Sequence, residues 1–345
     1  MRKFLKVFLW IFCVLLLGVF IFGLFNRELV SYGWEQFKGQ MHIVQNARPT
    51  DELLNDPTVS DSIKDKIRFI DRVKKFAIDS LGLKPSKNYT TLYDQHGQPL
   101  LWVVTASEPY AIRAYTWKFP VLGNVSYKGY FNKSKAETLE YMLKQKGYDT
   151  DLGDVSAWST LGWFRDPILS NMLKRKEGHL AELIIHEMTH ATLYAKSNVD
   201  FNENLASFVG EQGAIRFLSS VYGDSSKELK EYVYSKDDYD LFTRHMLQGK
   251  TMLDSLYTSI EHTPEAQKKL LKSALIDSIV QALDTVSFHR KDRYAGIYRD
   301  KKPNNAYFLN FQRYDAMKGR MKLQMERKFD GDIRKYLTYL KSKYS

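Results

Sequence analysis

The sequence predicts an α+β chain, mostly helical with a small mixed sheet, preceded by one N-terminal transmembrane helix. Three observations carry that expectation. Residues 7–25 run for 19 positions without a charge, just long enough to cross a bilayer. Strand-like stretches crowd the part of the chain before Asp166. After Asp166 almost every segment repeats its apolar residues at helical spacing.

The elements follow in order. Arg2, Lys3 and Lys6 precede the apolar run, which by the positive-inside rule keeps the amino terminus in the cytoplasm. A cleaved leader fits less well, because the run exceeds a usual apolar leader core and bulky Phe22-Gly23-Leu24-Phe25 offers no cleavage site. Cys13, preceded by Phe12, does not fit a lipid-attachment motif either. The expectation is a single-pass protein of the inner (cytoplasmic) membrane, its domain facing the periplasm or the cell exterior. Residues 29–46 continue as helix. Ser60 or Asp61 caps the next, with Ile63, Ile67, Ile70 and Val73 on one face and Gly82 as its stop. Strands are expected at 89–93, 100–106, 125–131 and 155–161, with a helix from Ser134 to near Gly147 between the last two. The rest is helix, apart from a turn at 261–264 and a loop at 297–303. The expected division is an anchor at 1–27 and one exported domain at 28–345, with a candidate site at 180–213 and a helical part at 221–345.

Composition narrows the function classes. Cys13 is the only cysteine, so residues beyond the apolar run form no disulfide, and any metal there is held by nitrogen and oxygen. The formal net charge is +11, from 51 basic and 40 acidic residues. The charges are dispersed and match no nucleic-acid-binding module, so no nucleic-acid partner is expected. A basic balance suits the anionic membrane surface beside an anchor. The basic segment 318–343 reads as a solvated surface helix or one that faces membrane or cell wall.

The chemistry is concentrated in Ile185-His186-Glu187-Met188-Thr189-His190 and the following Asn202-Glu203-Asn204-Leu205-Ala206. Two histidines four apart lie on one helix face, where both imidazoles can reach one divalent ion. Zinc hydrolases keep next to the first histidine the carboxylate that takes a proton from the attacking water, and here that residue is Glu187. Catalytic zinc usually has three protein ligands. Asn202 reads as the N-cap of a second helix with Glu203 in its first turn. A helix so closely connected packs alongside the first, which lets Glu203 face the histidines. Asp200 rivals it as third ligand, and the alternative role for Glu203 is only to complement the helix dipole. Glu211 fits the role of a carboxylate that orients a histidine ligand. Trp158, in the candidate peptide-binding edge 155–160, could line a substrate pocket with Trp163 and Phe164, or simply pack in the core. Tyr130, Tyr194, His245 and Tyr314 are open candidates for stabilising a developing oxyanion, with Tyr127 nearby in sequence.

The H-E-x-x-H…N-E-x-x-A pattern resembles the gluzincins, zinc peptidases whose third ligand is a glutamate on a following helix. More narrowly, the chain resembles the bacterial "putative aminopeptidase" family. The resemblance runs through Gly39-Gln40, Ala47-Arg48-Pro49, Phe76-Ala77, Leu81-Gly82-Leu83 and Tyr127-Lys128-Gly129-Tyr130-Phe131. It continues through Gly147-Tyr148-Asp149, Ser159-Thr160-Leu161-Gly162-Trp163-Phe164, Asp166-Pro167, the histidine motif, Leu193-Tyr194 and Phe201-Asn202-Glu203. After about residue 220 it thins to Asn304-Asn305-Ala306. It implies a zincin-like metallopeptidase domain acting on a peptide or protein substrate, with Zn2+ on His186, His190 and Glu203 and with Glu187 as base. Two departures stand out. Ser207 occupies a place where many gluzincins carry aspartate, and the Gly-x-Met-Glu-Asn signature that holds a substrate's amino terminus is missing. An endopeptidase, or an inactive zincin-like scaffold at the membrane, is the alternative.

Overall fold

The computed structural model describes residues 25–119, 123–154, 165–196, 198–315 and 317–344 together with Phe4 and Trp10, with backbone alone for 199 and 312–315. The chain divides into two compact units, Met1–Asn46 and Ala47–Ser345.

In the first unit, helix α1 (Arg27–Asn46) carries Arg27, Glu28, Glu35 and Lys38 along its length. Each such charge is costly to place in hydrocarbon. No helix among the described residues is long and apolar enough to cross a membrane. This corrects the expectation of an N-terminal membrane-spanning helix, and the single-pass inner-membrane placement built on it is withdrawn. Of the apolar run 7–25, only Trp10 and Phe25 are described.

Among its described residues the second unit is mostly helical with three small sheets. Its first elements are β1 (Arg48–Pro49), α2 (Thr50–Asn55), α3 (Asp61–Asp79), β2 (Thr91–Tyr93) and β3 (Trp102–Ser107). Next come β4 (Trp117–Phe119), β5 (Gly123–Val125), β6 (Lys128–Tyr130), α4 (Lys133–Gln145), β7 (Asp149–Asp154) and β8 (Ile168–Leu169). A 3-10 turn (Ser170–Lys174) then leads into the helices α5 (Glu177–Thr192), α6 (Val199–Tyr222), α7 (Lys227–Ser259) and α8 (Glu265–Ala282). The short α9 (Lys291–Tyr294), then α10 (Asn305–Asp315), α11 (Lys318–Phe329) and α12 (Ile333–Tyr344) complete the chain.

One sheet is mixed, in the order β1-β2-β8: β1 is antiparallel to β2, and Leu92 pairs with Ile168 in the parallel β2–β8 contact. A second, antiparallel, has the order β6-β3-β7, with Trp102 opposite both Tyr130 and Asp154. β4 and β5 form a separate hairpin. Short strands of this kind need a packed face to be stable, and the helices supply it. β8 is buried and hands the chain directly to the turn before α5, so the mixed sheet sets where that helix begins. The expected strand at 155–161 lies outside the described residues.

The core around α5 is made of Leu180, Ile184, Ile185 and Met188 against Leu205, Phe208 and Val209 of α6, all nearly inaccessible to solvent. Phe217 closes it, meeting the rings of Phe69 and Phe76 edge-on at 5.4 and 5.5 Å. The two helices lie close together at Gly210, where a β-carbon would stand 2.9 Å from the Glu182 carbonyl oxygen. A second core gathers Phe242, Met246 and Leu253 of α7, Ile276 and Ile279 of α8, and Phe308 of α10.

The late Asn304-Asn305-Ala306 motif ties these layers together. Asn304 caps α10 through Tyr307 N–H (3.1 Å) and donates to the Thr150 carbonyl in β7 (2.8 Å). The fully buried Asn305 takes a hydrogen bond from the Tyr257 hydroxyl (2.7 Å) and donates to the Glu108 carbonyl (2.8 Å). Its own N–H reaches Asp149 Oδ2 (2.9 Å).

Candidate metal centre

Three side chains converge at the α5–α6 contact. His186 Nε2 and His190 Nε2 are 3.1 Å apart. Glu203 presents Oε2 to His186 at 3.5 Å and Oε1 to His190 at 3.6 Å. An ion in tetrahedral coordination with bonds of about 2.0–2.1 Å spaces its ligand atoms about 3.3 Å apart. The observed separations straddle that value, and His186, His190 and Glu203 can hold a metal ion.

Glu203 is delivered by a hairpin whose chemistry differs from the one expected. The N-cap of α6 is Asn198, accepting from Phe201 N–H (3.3 Å), so Glu203 falls in the second turn of the helix and not the first. Asn202, expected as the cap, is instead buried and clamps the connecting turn. Its Oδ1 accepts from Ala195 N–H (2.8 Å) and its Nδ2 donates to the Ala195 carbonyl (2.9 Å). That reciprocal pair fixes how α6 returns along α5. Sequence reasoning missed it because asparagine serves equally well as a cap or as a partner for a stray peptide group.

The charges within the cluster are mutually dependent. Burial alone would push the Glu203 carboxyl up, but the two imidazoles bring it down to about 2. Burial alone would likewise lower His186, yet the carboxylates of Glu203, Glu187 and Glu182 hold it above its usual range. At this site the buried His190 Nδ1 and Glu187 Oε2 have no hydrogen-bond partner among the described residues. Glu187 sits beside His186 on α5 and is nearly buried.

A second group of charges lies one helical turn before His186. Glu182 takes a hydrogen bond from Lys236 of α7 (2.8 Å) and faces His179 Nδ1 at 3.6 Å. Glu211 takes one from Lys318 of α11 (2.9 Å) and meets Lys236 at 3.5 Å. The Glu211 carboxylate is therefore engaged by two lysines, and the structure does not bring it to a histidine of the cluster. Nothing in the sequence ties Lys318 to this place, since more than a hundred residues separate it from Glu211.

The other candidates are dispersed. Asp200 is exposed in the first turn of α6, its carbonyl accepting from Asn204 Nδ2 (2.8 Å). Tyr130 ends β6, largely buried under the Lys128 ammonium. Tyr194 lies two residues beyond α5 and is exposed, as is Tyr127. His245 Nε2 is 2.7 Å from the Ile279 carbonyl, a contact between α7 and α8. Tyr314 is described only as backbone of α10, and Trp158, Trp163 and Phe164 fall outside the described residues.

Among known proteins, the family model described as "Putative aminopeptidase" matches residues 31–343. The match extends well beyond residue 220, where the recognisable motifs thin, and takes in the helical carboxyl-terminal part. No curated protein gives a significant match, nor does any solved structure. With nine-tenths of its length matched, the chain belongs to the family described as "Putative aminopeptidase".

Proposed function

We propose that this chain is a zinc-dependent peptidase in which His186, His190 and Glu203 hold the ion and Glu187 is the general base. What supports the reading above all is the spacing of the three side chains, 3.1–3.6 Å between their facing atoms, with a carboxylate on the adjacent residue. Zinc, when bound, supplies Lewis acidity: it makes water a nucleophile near neutral pH and polarises the scissile carbonyl.

The protein groups do the rest. Glu203 supplies one negative charge, so a divalent ion bound there leaves a net positive centre facing substrate. His186 and His190 would each offer an Nε2 lone pair to the ion. Glu187 Oε2, free of any hydrogen-bond partner among the described residues, is available to accept a proton from water and return it to the leaving amine. Nearly complete burial of Glu187 raises the strength of that interaction by excluding competing solvent. Direction of attack is not set by these four residues. The family description points to removal of amino-terminal residues, although the Gly-x-Met-Glu-Asn signature is absent from the chain.

Elemental analysis of the purified chain after dialysis against zinc tests the reading, joined to hydrolysis of quenched peptides with free and blocked amino ends. One zinc per chain is expected, with activity lost to chelator and restored by the metal. Glu187→Gln should retain zinc while losing at least about 10²–10⁴ in kcat, the usual weight of a general base. A chain that takes up no zinc would sink the model.

A further inference from the structure

Glu203 lies between two buried asparagines in the run Asn202-Glu203-Asn204. Asn202 clamps Ala195 in the turn that joins α5 to α6. Asn204, only 1% accessible, ties the same helix to a different part of the chain. Its Oδ1 accepts from the Met317 N–H at 2.8 Å, at the entry to α11, and its Nδ2 donates to the Asp200 carbonyl at 2.8 Å. A buried amide with both its groups satisfied in this way fixes the two segments against each other, because leaving either group without a partner is costly.

The contact at Asn204 begins a series along α6. Glu211 takes the Lys318 ammonium (2.9 Å), and Arg216 donates to the Gly331 carbonyl between α11 and α12 (2.9 Å). α12 then returns antiparallel to α6. Tyr336 meets the Phe208 ring edge-on at 6.1 Å, and further along α12 Tyr344 lies 4.5 Å from the Phe201 ring. Residues 317–344 thus brace α6 along most of its length. Phe201, Asn204, Phe208 and Glu211 form one stripe of that helix, at spacings of three and four. Glu203 and Gly210 lie on the neighbouring stripe, about 100° around the axis, which faces α5. Rotation of α6 about its axis is the motion that would carry the Glu203 carboxylate off the two histidines, and metal–ligand distances tolerate only about 0.2 Å of error. A hydrogen bond on the adjacent stripe opposes that rotation directly.

We propose that Asn204 is a positioning residue for Glu203: its hydrogen bond to the Met317 N–H locks the rotation of α6 and makes the carboxyl-terminal hairpin 317–344 part of the support of the metal site. The role rests on the reading of Glu203 as the third zinc ligand.

Asn204→Ala removes both hydrogen bonds. In the full chain, zinc affinity measured by competition with a chromophoric chelator should fall about 10-fold or more, the usual weight of a group that orients a ligand. Asn305→Ala serves as the control for lost stability alone, since it strands buried polar groups that do not touch the cluster. Its urea midpoint should drop as well, while its zinc affinity stays within about twofold of the wild type, as for independent sites. Should Asn204→Ala fail to fold, Tyr344→Ala is read in its place, because it trims the contact of α12 with Phe201 from a half-buried position; zinc should again bind more weakly, by a smaller factor. A wild type that binds zinc and a folded Asn204→Ala, or in its stead Tyr344→Ala, that binds it equally well overturn this proposal alone. So does an Asn305→Ala that loses zinc affinity to the same extent. A wild type that takes up no zinc overturns the reading of Glu203 as a ligand as well.

Discussion

Glu182 is a carboxylate that burial would drive up, yet the Lys236 ammonium and His179 hold it well below the ordinary range. The sign of its effect on stability follows from linkage. A depressed folded value means that the unfolded chain binds the extra proton first, so the contribution is complete above about pH 4.5 and is lost as pH falls. Urea unfolding of the zinc-free chain between pH 6 and 3 should show stability decreasing toward acid, and Glu182→Gln should flatten part of that slope. An unchanged slope would mean that Glu182 is not coupled to Lys236 in solution. The same logic of paired charge separates the residues of the site from their rivals. Glu203 is committed to two imidazoles, Glu211 to two lysines and Asp200 to solvent. All three are acidic residues on one helix, and only their partners tell them apart.

At the scale of elements, the site depends on how closely α6 lies along α5. Gly210 permits that approach, since a β-carbon there would stand 2.9 Å from a backbone oxygen and 3.3 Å from the His186 β-carbon. Backbone cannot yield as a flexible side chain can, so Gly210→Ala should separate the helices at an overpacking cost of about 1–3 kcal/mol. Differential scanning calorimetry should find a Tm several degrees lower, and zinc titration a weaker site, because Glu203 moves with α6. A variant with wild-type Tm and zinc affinity would show that the helices have room to spare. The two asparagines of the connecting turn divide the remaining work: Asn198 starts α6 and Asn202 satisfies both polar groups of Ala195. The helix start lies a turn earlier than sequence spacing suggests, because the asparagine nearer to Glu203 is spent on the turn.

In the second unit, the buried Asn305 of α10 joins α7 and the segment after β3 through its side-chain amide and β7 through its backbone N–H. Asn305→Ala leaves the Tyr257 hydroxyl and the Glu108 carbonyl without this partner, at about 1–3 kcal/mol for each buried polar group stranded. Thermal unfolding should move down by several degrees while zinc stoichiometry is retained, since none of these groups touches the cluster. Loss of zinc in that variant would instead make the network part of the site. By itself the sequence determined the mostly helical character with small sheets and the placing of His186 and His190 on one helix face, because helical periodicity and four-residue spacing are local properties that tertiary context rarely overturns. It overreached at the amino terminus, where an uncharged run suggested a membrane helix, while the described helix that follows is too polar for one. Only the tertiary structure decided which carboxylates meet which cations and that Asn202 clamps a turn. Those facts join residues tens to more than a hundred positions apart, or choose among chemically equivalent side chains, and no local pattern encodes the choice. Packing does, by admitting one partner to each buried polar group and excluding water from the rest.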